Sequence, residues 1–416
     1  MLLNHGTPPG MCPSIGFLGL WCLAAWIAAC DNFPYANIHI SIQMMMKPTF
    51  YSIAVALCLT LTGCPNSDDE PYSDSGSNSY AYVINSDNTI SQFNLNPSNG
   101  DLTSTSYPAV STTGANSIAG YLDRHNKFMY VVNKTSQTIS MFGFDSFRKP
   151  YLLSTPTVAT DGDVRSIAVS AGKNAYVANI SSPSATSTVG VYTVGSSGVL
   201  TKVSTVPSYG GSSYQLLLSG DGKYLYVLHD DTSRISMYTV GVNGALTEMT
   251  PPHVDTTTSA QSFAIHPSGK FIYVAKSTNP GYVYRHDIDT STGVVGSLQM
   301  ASETAVGQSP RAMRVHASGK YAYVLNGSDR KISMFSINET TGELTAMAPA
   351  TVDSSGLDFP NSFDIDATGN FLYVTTYANK VYAFRINQST GMLTAGSTVT
   401  TATSSNNFIM LSGSSW

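Results

Sequence analysis

The chain has 416 residues, a formal net charge of −5 and only 11% charged residues. So small an acidic balance, with no basic stripe to neutralise phosphates, excludes nucleic acid as a partner. All five cysteines (Cys12, Cys22, Cys30, Cys58 and Cys64) lie at or before position 64, so the remainder can hold no disulfide framework, thiolate nucleophile or cysteine-based metal site.

Residues 1–45 contain an apolar run, Ile15 to Cys30, with no Lys or Arg ahead of it. A signal peptide needs a positive start and a membrane span needs about 20 apolar residues, so the run fits neither. These residues read as an over-extended start of the reading frame. Met46-Lys47 opens a better signal, followed by the apolar stretch Tyr51 to Thr60 and by Leu61-Thr62-Gly63-Cys64. Residues 46–63 resemble a bacterial lipoprotein signal with its lipobox, which implies cleavage before Cys64 and lipid attachment to Cys64. Ile27-Ala28-Ala29-Cys30 is the competing lipobox and lacks the upstream charge. Residues 64–79 then comprise the lipidated Cys64 and an acidic, serine-rich tether without apolar periodicity. The expected location is the cell envelope, periplasmic or surface-exposed, anchored to a membrane and not spanning it.

Residues 80–412 are built on one repeat. Tyr-Val pairs stand at Tyr82, Tyr130, Tyr176, Tyr226, Tyr273, Tyr323 and Tyr373, at steps of about 46 to 50 residues. Each unit has an apolar alternation such as Ser262 to His266, a glycine turn such as Pro267-Ser268-Gly269-Lys270, and the Tyr-Val run. A second alternation (Ile332 to Ile337) and a Gly-x-Leu-Thr turn (Gly342-Glu343-Leu344-Thr345) complete it. Period-2 alternation bounded by Gly, Asn and Ser is strand-and-hairpin grammar. About four strands in each of seven units describe an all-β, seven-bladed β-propeller with four-stranded blades. The first unit lacks its leading strand and the chain ends on an orphan strand, Asn407 to Leu411. Its pairing into the first blade closes the ring.

The repeat Gly-Lys-(Tyr/Phe)-x-Tyr-Val-x-Asn, with its Gly-x-Leu-Thr turn, resembles the YVTN-type, lactonase-like propellers, which include 6-phosphogluconolactonases. The resemblance implies a ligand site where the inner strands begin. Aligned there, the seven strands offer Asn116, Arg165, Tyr214, Gln261, Arg311, Asn361 and Asn406. The ends of the Tyr-Val strands add Asn85, Asn133, Asn179, His229, Lys276, Asn326 and Thr376. The amides, with Arg165, Arg311, Lys276 and His229, supply directed donors for carboxylate, phosphate or sugar hydroxyls. The Asn set also has a structural reading, as caps of the turns they precede. Arg314 and Asp364 fall in adjacent blades and are expected to pair, either as an inter-blade clamp or as catalytic groups. His316 and Asp366 are candidates to repeat that arrangement one layer down. His266 and His316 read as turn residues.

In many enzymes of this kind an inner strand opens with Gly-Pro-Arg-His, in which Arg and His hold the carboxylate and move a proton. Here the matching stretch is Ser309-Pro310-Arg311-Ala312, so the arginine is kept and the histidine is not. A base would have to come from His229, His286 or a carboxylate outside the ring. No glycine-rich phosphate loop opens a helix and no paired histidines stand at metal-ligand spacing, so no cofactor and no metal are expected. The expected function is a ligand-binding or protein-interaction module whose mouth takes a small anionic or sugar-like ligand, or a protein surface. The alternatives are a lactone hydrolase acting on a carboxylate- or phosphate-bearing lactone, with Arg311 and Arg165 as substrate-binding groups, and a surface protein whose mouth binds nothing.

Overall fold

The computed structural model describes residues 79–122, 127–170, 173–181, 186–353, 359–401 and 405–411. The segments expected to be an over-extended start, a lipoprotein signal, the lipidated Cys64 and a tether up to residue 78 lie outside them. The described residues form strands β1 (Ser79–Asn85) to β29 (Ser405–Leu411), grouped in seven antiparallel sheets. Six sheets are consecutive four-stranded meanders: blade 2 (117–159), blade 3 (163–207), blade 4 (213–255), blade 5 (260–306), blade 6 (310–353) and blade 7 (360–400). Blade 1 is composite. β29 pairs antiparallel with β1, then β2 (Thr89–Leu95) follows, and the outer strand is split into β3 (Leu102–Ser104) and β4 (Val110–Ser111). The C-terminal strand therefore closes the ring, as the orphan strand implied.

Burial explains why the Tyr-Val strands read as continuous apolar runs. A second strand such as β22 (Tyr321–Asn326) is covered on both faces and buried at every position, whereas an outer strand such as β12 (Leu200–Pro207) is mostly exposed. The core is not one mass. It is divided into seven clusters, each joining facing strands of two neighbouring blades, such as Tyr323 and Met334 of blade 6 with Phe363 and Val374 of blade 7. Burying each such side chain contributes about 1.5–3 kcal/mol.

The two repeated motifs are halves of one inter-blade bond. In six blades the tyrosine hydroxyl of the Tyr-Val pair donates to the glycine carbonyl of the following blade's outer turn. The bonds run Tyr130–Gly198 (2.8 Å), Tyr176–Gly244 (3.0 Å), Tyr226–Gly293 (2.7 Å), Tyr273–Gly342 (2.8 Å), Tyr323–Gly391 (2.8 Å) and Tyr373–Gly100 (2.9 Å). In blade 1 the acceptor is the carbonyl of Arg148 (2.8 Å from Tyr82), which takes glycine's place at φ 58°. The residue two before each tyrosine packs on the same glycine. A Cβ on Gly198 would overlap Phe128, and one on Gly391 would overlap Tyr321.

Two histidines add a second set of blade contacts. His266 Nε2 donates to the Gly319 carbonyl (2.8 Å) and His316 Nε2 to the Gly369 carbonyl (2.9 Å). In both, Nδ1 accepts the backbone N–H of the serine two residues on, at 3.1 Å, which fixes the tautomer. His316 therefore does not pair with Asp366. That carboxylate is held within its own turn by the N–H of Phe371 (2.8 Å) and by Thr368.

Candidate functional site

The inner strands β5 (Ser117–Leu122), β9 (Asp163–Ser170), β13 (Ser213–Leu218), β17 (Ala260–Ile265), β21 (Pro310–Val315), β25 (Pro360–Ile365) and β29 surround a cavity of about 450 Å³. Each carries a bulge near its start. In blade 4, for example, Ser213 faces His229 and Gln215 faces Leu228, leaving Tyr214 without an opposite residue. By the same register the bulged residues are Ile118, Arg165, Gln261, Arg311 and Asn361. A bulge adds twist and re-aims its side chain, and all six of these residues line the cavity.

Six of the expected mouth residues, Asn116, Arg165, Tyr214, Gln261, Arg311 and Asn361, are thus brought together. In blade 2 the alignment is displaced: Ile118 occupies the bulge, and Asn116 lies before the strand at φ 58°. Asn406 lies on β29, where the register jumps between the Ile84–Phe408 and Asn85–Ser405 pairs.

His229 and Lys276 fall outside the lining, and the reason is strand alternation. A strand's side chains point to opposite faces in turn, and Asn85, Asn133, His229, Asn326 and Thr376, the last residues of five second strands, are buried. His229, at the end of β14 (Tyr224–His229), is fully buried, bonded to Ser236 Oγ (2.9 Å) and Ser208 Oγ (3.0 Å), and covered by Gly210. Burial pushes its imidazole down to about 4, so it is neutral near pH 7. Asn133 and Asn326 hold the equivalent place, donating to Ser140 Oγ (2.8 Å) and Ser333 Oγ (2.9 Å). Lys276 ends β18 (Phe271–Lys276) at the same register, opposite Ala260.

The residue one further on is the one that reaches the mouth. Lys134 and Tyr377 occupy that position after β6 (Phe128–Asn133) and β26 (Phe371–Thr376), and both line the cavity. Gly327 stands there in blade 6, where a Cβ would overlap Arg311 Nε, so the glycine gives the guanidinium its resting place. Alternation applied from the buried Asn or His would have found all three.

The electrostatics of the cavity are cationic. Lys134, Arg165, Arg311 and Arg314 line it and, among the described residues, no carboxylate does. Burial pushes the Tyr214 hydroxyl up, opposed by Arg165 and Arg311 and reinforced by Asp230 and Tyr377. Tyr214 therefore stands among both arginines and one acid. Two buried donors of the wall, Arg165 Nε and Asn361 Nδ2, have no hydrogen-bond partner. Both donors are left open to an acceptor in the cavity.

Arg314 and Asp364 do pair across blades 6 and 7, with Nε and Oδ1 3.7 Å apart. Arg314 also donates to the Met313 carbonyl (2.9 Å) and lies over the Phe363 ring. Burial pushes the Asp364 carboxyl up to about 8, against the pull of Arg314 and of the Ile365 N–H, which donates to it at 2.8 Å.

The position after the bulge, where a proton-transferring histidine would stand, braces neighbouring strands instead. Ser166 Oγ accepts from Leu216 N (3.2 Å), Gln215 Oε1 from Phe263 N (3.1 Å) and Ser262 Oγ from Met313 N (3.1 Å). In blade 6 it is Ala312. His286 offers no substitute: it is buried in blade 5, bonded to Thr256 Oγ1 (2.9 Å) and the Gly296 carbonyl (2.9 Å). Among the described residues no group of three or more His, Cys, Asp or Glu could hold a metal ion.

Comparison with known proteins agrees with this geometry. A 6-phosphogluconolactonase of Serratia proteamaculans (strain 568) is 27% identical over 125 residues, 29% of this chain and 38% of that protein. This chain thus matches well under half the length of that curated relative. Among solved structures, a Bacteroides fragilis protein provisionally assigned as a 6-phosphogluconolactonase superposes with a TM-score of 0.67 at 22% identity, covering 82% of this chain and 99% of its own. The periplasmic gluconolactonase of Pseudomonas aeruginosa gives 0.66 at 16% identity, covering 80% and 99%. These two likenesses show the fold. The family model described as lactonase, 7-bladed beta-propeller, matches residues 90–251 and 242–355, more than half of the sequence. On that match, the chain belongs to the lactonase family of seven-bladed β-propellers.

Proposed function

We propose that the mouth cavity binds a small sugar acid through its carboxylate or phosphate, with Arg165 and Arg311 as the principal anion-binding groups. The observation that carries this reading is the wall itself: four cations, no lining carboxylate among the described residues, and the unpartnered donors Arg165 Nε and Asn361 Nδ2. Guanidinium groups bind such oxyanions with directed, charge-assisted bonds. Gln261, Tyr214 and Asn116 supply hydroxyl-matching groups around them. Gluconate retained by the wild type and lost by the Arg165→Ala/Arg311→Ala double variant is the expected result; equal retention by both would refute the proposal.

Lactone hydrolysis is the second reading. It is favoured by the family, by the 6-phosphogluconolactonase to which the chain is similar, and by one further observation. Asp230, which acts on Tyr214, has a buried Oδ1 without a hydrogen-bond partner. In that reaction water attacks the lactone carbonyl, the ring C–O bond breaks, and the water proton is relayed to the departing alkoxide through the Tyr214 hydroxyl, which lines the cavity, with Asp230 acting on Tyr214 from outside the lining. The arginines would hold the developing negative charge. Acid release in a pH-stat from wild type but not from Asp230→Asn supports this reading, and release equal to the spontaneous rate removes it.

The compartment proposed from the sequence is the cell envelope, through lipid attached at Cys64. The periplasmic description of the Pseudomonas relative is in keeping with it. Labelling by a radioactive fatty acid, present in the native protein and absent in Cys64→Ala, is the corresponding test.

A further inference from the structure

The residue immediately before an inner strand is left-handed in several blades: Asn116 (φ 58°), Ser259 (59°), Ser309 (54°) and Phe359 (52°). Asn adopts that conformation readily, whereas a bulky side chain there is an outlier that is held only at a cost in strain. Phe359 recovers little of that by burial, being 60% exposed. The Arg330 guanidinium of blade 6 lies over its ring, 4.7 Å from the centroid. The Phe359 carbonyl accepts the Tyr377 N–H at 3.1 Å. Tyr377 is 42% exposed and lines the cavity. Two exposed aromatic residues joined through their backbones therefore stand on the blade 7 side, one of them in the cavity wall, and Phe359 holds a position that blades 2, 5 and 6 fill with Asn116, Ser259 and Ser309.

We propose that Phe359 and Tyr377 form a second subsite, which takes a further sugar ring of the same ligand. This rests on the sugar-acid reading of the cavity and extends it: the ligand class is an acid-terminated saccharide of two or more rings. The acidic end meets Arg165 and Arg311, and the adjoining ring lies on Phe359 and Tyr377. Flat aromatic side chains suit this task because they offer a large apolar face at low entropic cost, and tyrosine adds a hydroxyl.

The test compares gluconate with cellobionate, which is gluconate bearing one extra glucose ring, by calorimetric titration of wild type and Phe359→Ser. Serine is chosen because Ser259 and Ser309 already hold this backbone conformation, so the variant retains the fold. In the wild type cellobionate is expected to bind about five- to tenfold more tightly than gluconate. In Phe359→Ser that advantage disappears while gluconate affinity stays unchanged. Equal affinity for the two acids, or an advantage that survives Phe359→Ser, overturns the subsite and leaves the anion reading standing. Binding of neither acid overturns both.

Discussion

The Tyr373 hydroxyl donates to the Gly100 carbonyl at 2.9 Å, across a sequence separation of 273 residues. It is the same bond that links every other blade to the next over 66 to 69 residues, and here it joins the last complete blade to the composite one. Removing the hydroxyl leaves a buried carbonyl unsatisfied, which costs about 1–3 kcal/mol. Tyr373→Phe should lower the urea midpoint accordingly. A midpoint equal to that of the wild type would mean that the bond contributes nothing to closure.

The acceptor side of this bond tolerates only glycine in most blades. Gly198 sits at φ 81° and a Cβ there would overlap the Phe128 ring. Left-handed strain and overpacking together should make Gly198→Ala cost about 2–5 kcal/mol. Gly220 has nothing within 4 Å of a built Cβ, so Gly220→Ala serves as the control and should unfold like the wild type in thermal scans.

His229 makes stability depend on pH. Its folded pKa is depressed from 6.5 to about 4 by burial, so between those values the unfolded chain binds a proton that the folded one does not. Stability is full above about pH 6.5 and falls as the pH drops toward 4, by about 3 kcal/mol in total. His286 shifts in the same direction by burial. In His229→Gln, denaturant unfolding at pH 7 and pH 4.5 should show a smaller acid loss than in the wild type; an unchanged acid loss would assign it elsewhere.

The Arg314–Asp364 pair should respond asymmetrically. Asp364→Leu strands a buried guanidinium that cannot shed its proton, at a cost of about 3–5 kcal/mol. Arg314→Met leaves a carboxyl that burial already pushes up to about 8 and that can become neutral, so its cost is smaller. That cost grows as the pH rises, because a carboxyl raised in the folded state loses stability on ionising. Equal costs for the two variants in denaturant titrations at pH 6 would contradict this account.

The seven blades, their closure and most of the mouth were legible because each follows from a repeat that the chain states seven times. Arg165, Tyr214, Gln261, Arg311 and Asn361 could be aligned because the bulge recurs at one register. His229 and Lys276 were misassigned by a single residue, since alternation sends the strand-end side chain into the blade and the next one to the mouth. Lys134 and Tyr377 were missed for the same reason. Asn116 stands two residues from its aligned place: β5 begins as far before Tyr130 as β13 does before Tyr226, and that common spacing puts Ile118, not Asn116, in the bulge. Phe359 carried no signal, because a left-handed φ at a phenylalanine cannot be read from residue type.

The most direct test of the anion-binding mouth is calorimetric titration of 6-phosphogluconate into wild type, Arg311→Ala and Gly327→Ala. The account expects saturable binding to the wild type and a loss of about tenfold or more in Arg311→Ala, the scale of a charge-assisted bond. Gly327→Ala should weaken binding without lowering the melting temperature, because its Cβ displaces only the Arg311 side chain. No saturable heat with the folded wild type, or affinity unchanged in Arg311→Ala, would contradict the account.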